Sequence, residues 1–300
     1  MHIPDGFLSN RIWIAFDALS GAGILYAARR VHIEASARLI PMMGVLSAFV
    51  FVAQLLNFPV LGGTSGHLVG GALLAILLGP LAGFLTMATV VTAQSLFLQD
   101  GGLAALGANI FNLGAVTTFG GYAVFTLLAG RGEPIRRLAL ASFLAGWASL
   151  MMSATCCVLE LALSGAVPVK MGLVVMTGYH AIIGLAEGGL TAAIMVFISR
   201  NRPDLIRANS GQTLRLVDWA AALAFIAIPV AILGLAGSSS LPDPLQRLLA
   251  SPAEITQSEG EPLLSPNRFR DYFRGAALIG CGIGVAYVVA RWSQGRNSRS

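Results

Sequence analysis

The chain has 300 residues, of which 56% are hydrophobic and only 11% are charged, and its mean hydropathy is +0.76. A soluble globular domain carries roughly 25% charged residues, so this composition excludes a large soluble core and predicts a protein that crosses a membrane several times. The net charge is +5, and the basic residues are 18 arginines and one lysine, which lie in short loops between apolar runs. That distribution is typical of membrane topology and excludes a nucleic-acid-binding surface.

Nine apolar segments follow one another along the chain. The third is short and is separated from the fourth by Gly79-Pro80, which predicts a half-span or a kinked helix and leaves a count of eight or nine. Residues 1–7 have no basic start, so we expect an intact N-terminus rather than a cleaved signal peptide. The predicted segments are 11–28, 39–57, 68–79, 81–98, 107–129, 138–164, 171–199, 217–236 and 274–292.

The basic residues predict which loops face the cytoplasm. With the N-terminus outside, 13 of the 19 basic residues fall in cytoplasmic loops. Positive residues favour the cytoplasmic side of a membrane. The sequence therefore predicts that the N-terminus lies outside and that the loop 58–67 lies on the same face.

The composition changes after residue 200. We predict an all-α polytopic membrane protein with a core of about seven helices over residues 1–200. A cytoplasmic linker over 201–215 then leads to a module with two transmembrane helices over 216–300. The external loop of this module, 238–271, contains five prolines and three glutamates and predicts irregular structure.

The first two residues form a potential metal chelate. The α-amine of Met1, the backbone amide nitrogen of His2 and an imidazole nitrogen of His2 can close fused rings on one ion. A fourth nitrogen would complete the square that Ni(II) or Cu(II) adopts with nitrogen ligands. Of the four histidines, His67 shares the predicted outer face with His2, whereas His32 falls in a cytoplasmic loop and His180 within the membrane. The alternative is that His2 is incidental and His67 an ordinary loop residue.

The opening sequence Met-His-Ile-Pro-Asp-Gly-Phe-Leu resembles the start of the CbiM/NikM family. These proteins are substrate-binding (S) components of energy-coupling-factor transporters for nickel and cobalt. The stretches 66–80, 94–102, 106–109 and 187–189 are also similar to the family, so the resemblance covers about residues 1–200. It implies a metal held by the amine of Met1, the amide and imidazole of His2, and the imidazole of His67.

The resemblance also implies partners and a location. The expected partners are a transmembrane coupling (T) component and cytoplasmic ABC-type ATPase subunits in the bacterial inner membrane. The chain itself has no phosphate-binding Gly-x-x-x-x-Gly-Lys-Ser/Thr loop. Ni²⁺ or Co²⁺ would be the transported substrate, and a planar nitrogen set favours nickel. The C-terminal unit resembles the NikN/CbiN-type or PDGLE-type partner, although Pro244 and Gln246 depart from the Pro-Asp-Gly-Leu-Glu signature.

Several polar residues are candidates for orienting the metal ligands through hydrogen bonds. Gln94 and Asn109 flank a turn near the outer face, where they could orient the imidazole of His67. Asp5 follows the chelate and either neutralises the charge of the site or caps the first helix; the cap is favoured. The full set of candidates is Asp5, Thr64, Ser65, Gln94 and Asn109.

Other polar residues lie deeper in the apolar segments. For Gln54 and Asn112 we predict hydrogen bonds between helices. His180 and Glu187 are seven residues apart and so share one face of a helix. A pair that locks the helix is favoured there over an inner release path, and no role is predicted for Glu160.

Two other functions stay open from the sequence. One is a stand-alone metal permease, and the other is an intramembrane metalloenzyme. A metalloenzyme needs an open coordination position beside an acid or base, and the chain carries no His-Glu-x-x-His helix. No enzymatic activity is therefore predicted for the chain itself.

Overall fold

The computed structural model describes residues 1–34, 39–60, 64–129, 134–201 and 244–249. Within these ranges the chain is mostly helical, with one short β-hairpin. The elements in chain order are α1 (Asn10–Glu34), α2 (Leu39–Leu55), β1 (Phe58–Val60), β2 (Thr64–Gly66), α3 (Gly71–Leu78), α4 (Pro80–Leu98), α5 (Leu106–Leu128), α6 (Ile135–Leu163), α7 (Val169–Asn201) and α8 (Pro244–Leu249).

Four helices of the described chain, α4 to α7, are long and apolar enough to cross a membrane. They coincide with the fourth to seventh predicted segments, so the prediction of a helical multi-pass protein is confirmed. Helix α2 is apolar but has only 17 residues. The predicted spans 217–236 and 274–292, the linker 201–215 apart from its first residue, and most of the loop 238–271 lie outside the described residues.

The short third segment is a half-span. Helix α3 has eight residues, which is about 12 Å of helix against a hydrocarbon core about 30 Å thick. Glycines with positive φ stand at both ends, Gly70 at +81° and Gly79 at +84°. Pro80 then begins α4, where its missing N–H costs no helical hydrogen bond.

The all-α prediction is wrong for the loop between α2 and α3. Strands β1 and β2 pair antiparallel there, with Phe58 opposite Gly66 and Val60 opposite Thr64. Backbone groups in an irregular loop near membrane depth need internal partners, and a hairpin supplies them within the loop. His67 follows directly after the second strand of this hairpin.

Helices α4 and α5 each contain a π-helical stretch that the sequence did not predict. One covers Gln94–Leu98 and the other covers Ile110–Gly120. The first ends where the turn 99–105 begins, and the second begins one α-helical turn, Leu106–Asn109, after it. Widened helical turns of this kind are rare in proteins overall, and those that occur are often found at functional sites.

Helices α6 and α7 are held together by close backbone contact. A Cβ at Gly146 would lie 3.0 Å from the Cα of Gly188, and Trp147 covers Gly184. The indole Nε1 of Trp147 also donates to the carbonyl of Ala181 at 3.0 Å. The small residues of α7 thus serve packing inside the protein, as small-xxx-small spacing indicates.

The short helix α8 packs against α7 and the hairpin. Its residue Leu245 is only 1% exposed, and Pro244 is buried as well. This segment belongs to the predicted external loop of the C-terminal module. The structure therefore places part of that module beside His67.

Candidate metal centre

The N-terminal amine meets an imidazole from the hairpin loop. The amine nitrogen of Met1 lies 3.2 Å from Nε2 of His67, across 66 positions of sequence. Met1 is only 2% exposed, so the N-terminus is folded into the protein. Docking of the terminus costs chain entropy and requires the contacts described below.

The imidazoles of His2 and His67 face each other. Their ring centroids are 5.6 Å apart, with an angle of 15° between the ring planes. The Met1 amine lies beside the His67 ring, and the His2 amide belongs to the same two-residue segment as that amine. Within the described residues, no three side chains of His, Cys, Asp or Glu converge as a metal site. A metal site here would therefore depend on the backbone nitrogens of residues 1 and 2.

Asp100 contacts the His2 imidazole and was not among the predicted site residues. Its Oδ1 lies 3.1 Å from Nδ1 of His2. Nε2 of His2 is buried and has no hydrogen-bond partner. Nδ1 is the ring nitrogen that can close a chelate ring with the amide of its own residue, so a bound ion would replace the Asp100 contact at Nδ1. The predicted topology already put the Asp100 turn near the outer face, and that signal could have identified it.

The electrostatics favour a neutral His67 and an ionised Asp100. Burial, together with the positive charges of the amino terminus and of His2, lowers the pKa of His67 from 6.5 to about 4. Burial alone would raise the pKa of Asp100. The hydrogen bond from His2 and the nearby positive charges of His2 and the N-terminus outweigh burial and hold that pKa well below its usual range. A neutral imidazole keeps the lone pair that a metal ion needs.

The tautomer of His67 is fixed by the backbone. Its Nδ1 lies 3.0 Å from the carbonyl oxygen of Leu68. A carbonyl only accepts hydrogen bonds, so Nδ1 carries the proton and Nε2 presents its lone pair to the Met1 amine. This is the arrangement in which metal-binding histidines are usually held.

Asn109 holds the N-terminal segment. Its Oδ1 accepts the Ile3 N–H at 2.7 Å, and its Nδ2 donates to the Ile3 carbonyl at 3.0 Å. The Gly102 N–H also donates to that carbonyl, at 2.9 Å. Both atoms of the Asn109 amide thus bind the residue after His2, and a role in orienting His67 stays a prediction.

Asp5 caps a helix, but not the predicted one. Its carboxylate accepts the N–H groups of Leu103, Ala104 and Ala105 at 3.1, 2.8 and 3.3 Å. These amides precede α5, whereas α1 begins five residues after Asp5. The expected cap of the first helix is wrong because the segment 1–8 folds back onto the turn 99–105, whose free amides are nearer.

The remaining candidates are placed less directly. Gln94 is fully buried, and neither atom of its amide has a hydrogen-bond partner among the described residues, so its role in orienting the His67 ring stays a prediction. Ser65 is buried in β2, where its backbone pairs with Pro59. The side chain of Thr64 lies outside the described residues.

The loop after His67 is held by two spans. Glu187 on α7 accepts the N–H groups of Val69 and Gly70 at 2.8 and 2.7 Å. Gln54 on α2 donates to the Val69 carbonyl at 2.7 Å. Its Nε2 also lies 3.3 Å from the sulfur of Met87 on α4, so the predicted hydrogen bond of Gln54 between helices is confirmed, and Gln54 binds the loop as well. Sequence reasoning also missed this role of Glu187, because a partner 118 positions away leaves no local pattern.

The structure separates His180 and Glu187 into different contacts. Nδ1 of His180 lies 2.7 Å from the Met176 carbonyl, one turn earlier on α7. The helix-locking pair predicted for them is thus replaced by a backbone contact for His180 and a loop contact for Glu187. His180 also lines, with Met1 and His67, a cavity of about 10 Å³, the space of one water molecule.

The predicted hydrogen bond of Asn112 between helices is confirmed. Its Nδ2 donates to Oε2 of Glu160 at 2.7 Å and joins α5 to α6. Both side chains are buried. This contact gives Glu160 a structural partner within the spans.

Comparison with known proteins identifies the family. Residues 2–205 match the family described as CbiM, the cobalt uptake substrate-specific transmembrane region. The chain belongs to this family. The predicted membership is therefore confirmed, and the matched region includes both His2 and His67.

Relatives and a solved structure extend this result. A homologue of Archaeoglobus fulgidus named NikMN, a fused nickel transport protein, is 42% identical over 212 residues, 70% of this chain and 69% of that protein. A homologue of Lactiplantibacillus plantarum named LarMN, also a fused nickel transport protein, is 28% identical over 314 residues, 97% of this chain and 93% of that protein. The match to LarMN includes the C-terminal region, so the predicted fused unit of this CbiM-family chain is confirmed.

The architecture of the core is also shared with a solved structure. A crystal structure of a truncated transition metal transporter is 28% identical to this chain, with a TM-score of 0.61. The match covers 67% of this chain and 99% of that one. The CbiM-family core therefore has the fold of a known metal transporter.

Proposed function

We propose that this chain is the substrate-binding component of an ATP-driven importer of the energy-coupling-factor type, which captures Ni²⁺ or Co²⁺ at the outer membrane face. The ligands are the amine of Met1, the amide and Nδ1 of His2, and Nε2 of His67. One observation carries the proposal: the N-terminal amine lies 3.2 Å from Nε2 of His67. That contact brings the terminus and the hairpin loop to one point, where a single ion can replace the hydrogen bond.

The chemistry of this ligand set favours nickel. Four nitrogens in a plane suit Ni(II), since the deprotonated amide is a strong ligand and the chelate rings are small. Asp100 supplies the negative charge beside the His2 ring, and Asn109 holds the neighbouring residue in place. Asp5 acts less directly, because its carboxylate binds backbone amides of the turn 99–105, which carries Asp100.

Partner subunits supply the energy for transport and couple it to this chain. The cytoplasmic ABC-type ATPase subunits hydrolyse ATP, and a transmembrane coupling (T) component transmits the change to this chain in the inner membrane. The N-terminus lies outside, as the arginine distribution predicts. Residues 1–200 form the metal-binding core, 201–215 a cytoplasmic linker and 216–300 the two-span NikN/CbiN- or PDGLE-like module. In cells that lack any coupling ATPase, this chain should give no Ni²⁺ uptake; uptake there would favour a stand-alone permease.

Titration of the purified protein with Ni²⁺ tests the ligand set. An N-terminal extension of four residues, His2→Ala and His67→Ala should each weaken binding by more than about 100-fold. Loss of a direct ligand exceeds the 10–100-fold cost typical of an outer partner. The extension must be longer than one residue, because a single added residue would place the histidine third, where the amine and two amides also chelate Ni²⁺.

A matched control is His32→Ala, which removes an exposed histidine at the end of α1. Its affinity should equal that of the wild type. Equal affinity of the extended protein and the wild type would contradict the chelate. The absorption spectrum of the loaded protein should show planar, diamagnetic Ni(II).

A further inference from the structure

The segment that carries His67 lies in neither helix nor strand. Residues 67–70 connect β2 to α3, so their backbone amides need partners from elsewhere in the fold. Two of these amides, on Val69 and Gly70, donate to the two carboxyl oxygens of Glu187. This pair of hydrogen bonds is called the Glu187 fork below. Glu187 is only 2% exposed, so the fork is shielded from water.

The contacts around Glu187 lead step by step to the metal-facing nitrogen. The fork fixes the peptide groups of residues 69 and 70, and Gln54 holds the Val69 carbonyl from the other side. The Leu68 carbonyl, which belongs to the same peptide group as the Val69 N–H, accepts the Nδ1–H of His67 and leaves Nε2 for the ion. A shift of this segment would therefore displace the His67 imidazole. It would also change which of the two ring nitrogens carries the proton.

The loop has no room to adjust by itself. A Cβ at Gly66 would lie 2.6 Å from Cγ1 of Ile183, and one at Gly70 would lie 2.9 Å from Cγ2 of Val50. Gly70 also has a φ of +81°, which favours glycine. The loop backbone thus lies directly on α7 and α2. His67 lies between these two closely packed glycines, so a backbone shift caused by loss of the Glu187 hydrogen bonds would act on its side chain.

We infer that Glu187 is a positioning residue for metal capture: its buried carboxyl group holds the backbone after His67 so that Nε2 of that histidine faces the N-terminal amine. The inference rests on the proposed function. A span residue that is far from the N-terminus in sequence thus affects the affinity for Ni²⁺ through His67. The inference also explains a buried acid in α7 by contacts within the chain.

Glu187→Gln tests this role with Ni²⁺ alone as the probe. Glutamine offers one acceptor and one donor, so it loses one N–H contact and sets its own NH₂ against the other. We expect the Ni²⁺ affinity to fall about 10–100-fold, as for other partners of metal-bound histidines. At saturating Ni²⁺ the absorption spectrum should resemble that of His67→Ala, because the same ligand is displaced.

Glu160→Gln is the matched control. Glu160 is also a buried acid on a neighbouring span, but it accepts its hydrogen bond from the side chain of Asn112 and not from the backbone of residues 67–70. Its apo unfolding temperature should fall by an amount comparable to that of Glu187→Gln, while its Ni²⁺ affinity should stay at the wild-type value. A purely structural Glu187 would show this same behaviour and would overturn the inference.

A double-mutant cycle separates positioning from general damage. In the His67→Ala background, Glu187→Gln should cause no further loss of affinity, because the residue that it positions is already absent. Additive losses would overturn the inference. If Glu187→Gln yields no folded protein, Glu187→Asp carries the same test, since its carboxyl group is one methylene too short for both amides.

The outcomes distinguish this inference from the proposed function. If the wild type and His67→Ala bind Ni²⁺ equally, the proposed ligand set is wrong. If His67→Ala loses affinity while Glu187→Gln binds as the wild type does, only the positioning role is wrong.

Discussion

Asn109 binds Ile3 with both atoms of its side-chain amide, at 2.7 Å to the N–H and 3.0 Å from the carbonyl. The side-chain amide of Asn109 thus binds the backbone N–H and carbonyl of Ile3 in the way that a neighbouring β-strand would. The pairing joins residue 3 to α5 across 106 positions of sequence. It also fixes the peptide next to His2, whose own amide is a proposed ligand.

Replacing Asn109 should weaken metal capture more than it weakens the fold. We expect Asn109→Ala to lower the Ni²⁺ affinity about 10–100-fold, because the chelating amide loses its anchored neighbour. Calorimetric titration with Ni²⁺ measures this loss. Asn112→Ala is the matched control, since this buried amide lies three residues further along α5 and binds Glu160. A similar loss of affinity in both variants would argue against a specific role for Asn109.

Asp5 should stabilise the turn 103–105 as well as the N-terminus. Its carboxylate accepts three backbone N–H groups that precede α5. Removal of a capping side chain typically costs about 0.5–2 kcal/mol. We therefore expect Asp5→Ala to lower the apo unfolding temperature and to speed hydrogen exchange at these three amides. Asp17→Asn is a milder comparison, because asparagine keeps an oxygen for the Gly107 N–H; unchanged exchange in Asp5→Ala would contradict the cap.

The sequence predicted the long helices because their apolar runs are continuous. It also predicted that residues 1, 2 and 67 would share one face, since arginine placement orders the loops. It could not predict that Asp5 and Asn109 act on turns and peptides far away in sequence. Their partners are backbone groups, which every residue carries, so no pattern of side chains marks them in advance.

The hairpin and the half-span were harder to predict for another reason. Strands of three residues are too short to show alternation, and the eight residues of α3 are as apolar as those of a full span. What decides both is tertiary contact, such as that between the loop and Glu187. Gly79-Pro80 nevertheless indicated where the short helix ends.

Gly102 should tolerate no side chain. A Cβ at this position would overlap the backbone and carboxyl group of Asp5, while its N–H donates to the Ile3 carbonyl. We expect Gly102→Ala to push the N-terminal segment away and to lower the Ni²⁺ affinity at least about tenfold, in line with other losses of support for a metal ligand. Gly189→Ala is the control, since a Cβ there meets no atom within 4 Å. Wild-type affinity of Gly102→Ala would show that the segment docks in another way.

The low pKa of His67 should make the stability of the apo protein depend on pH. Its pKa is about 4 in the folded chain and near 6.5 when unfolded. Between these values the unfolded chain binds more protons, so this contribution to stability is fully present above pH 6.5 and is lost as the pH falls towards 4. The apo unfolding temperature of the wild type should therefore fall more steeply between pH 7 and about 4.5 than that of His67→Gln, which has no imidazole to protonate. His32→Gln, at an exposed position, should keep the wild-type slope. Equal slopes for the wild type and His67→Gln would mean that the imidazole is not held neutral beside the N-terminal amine.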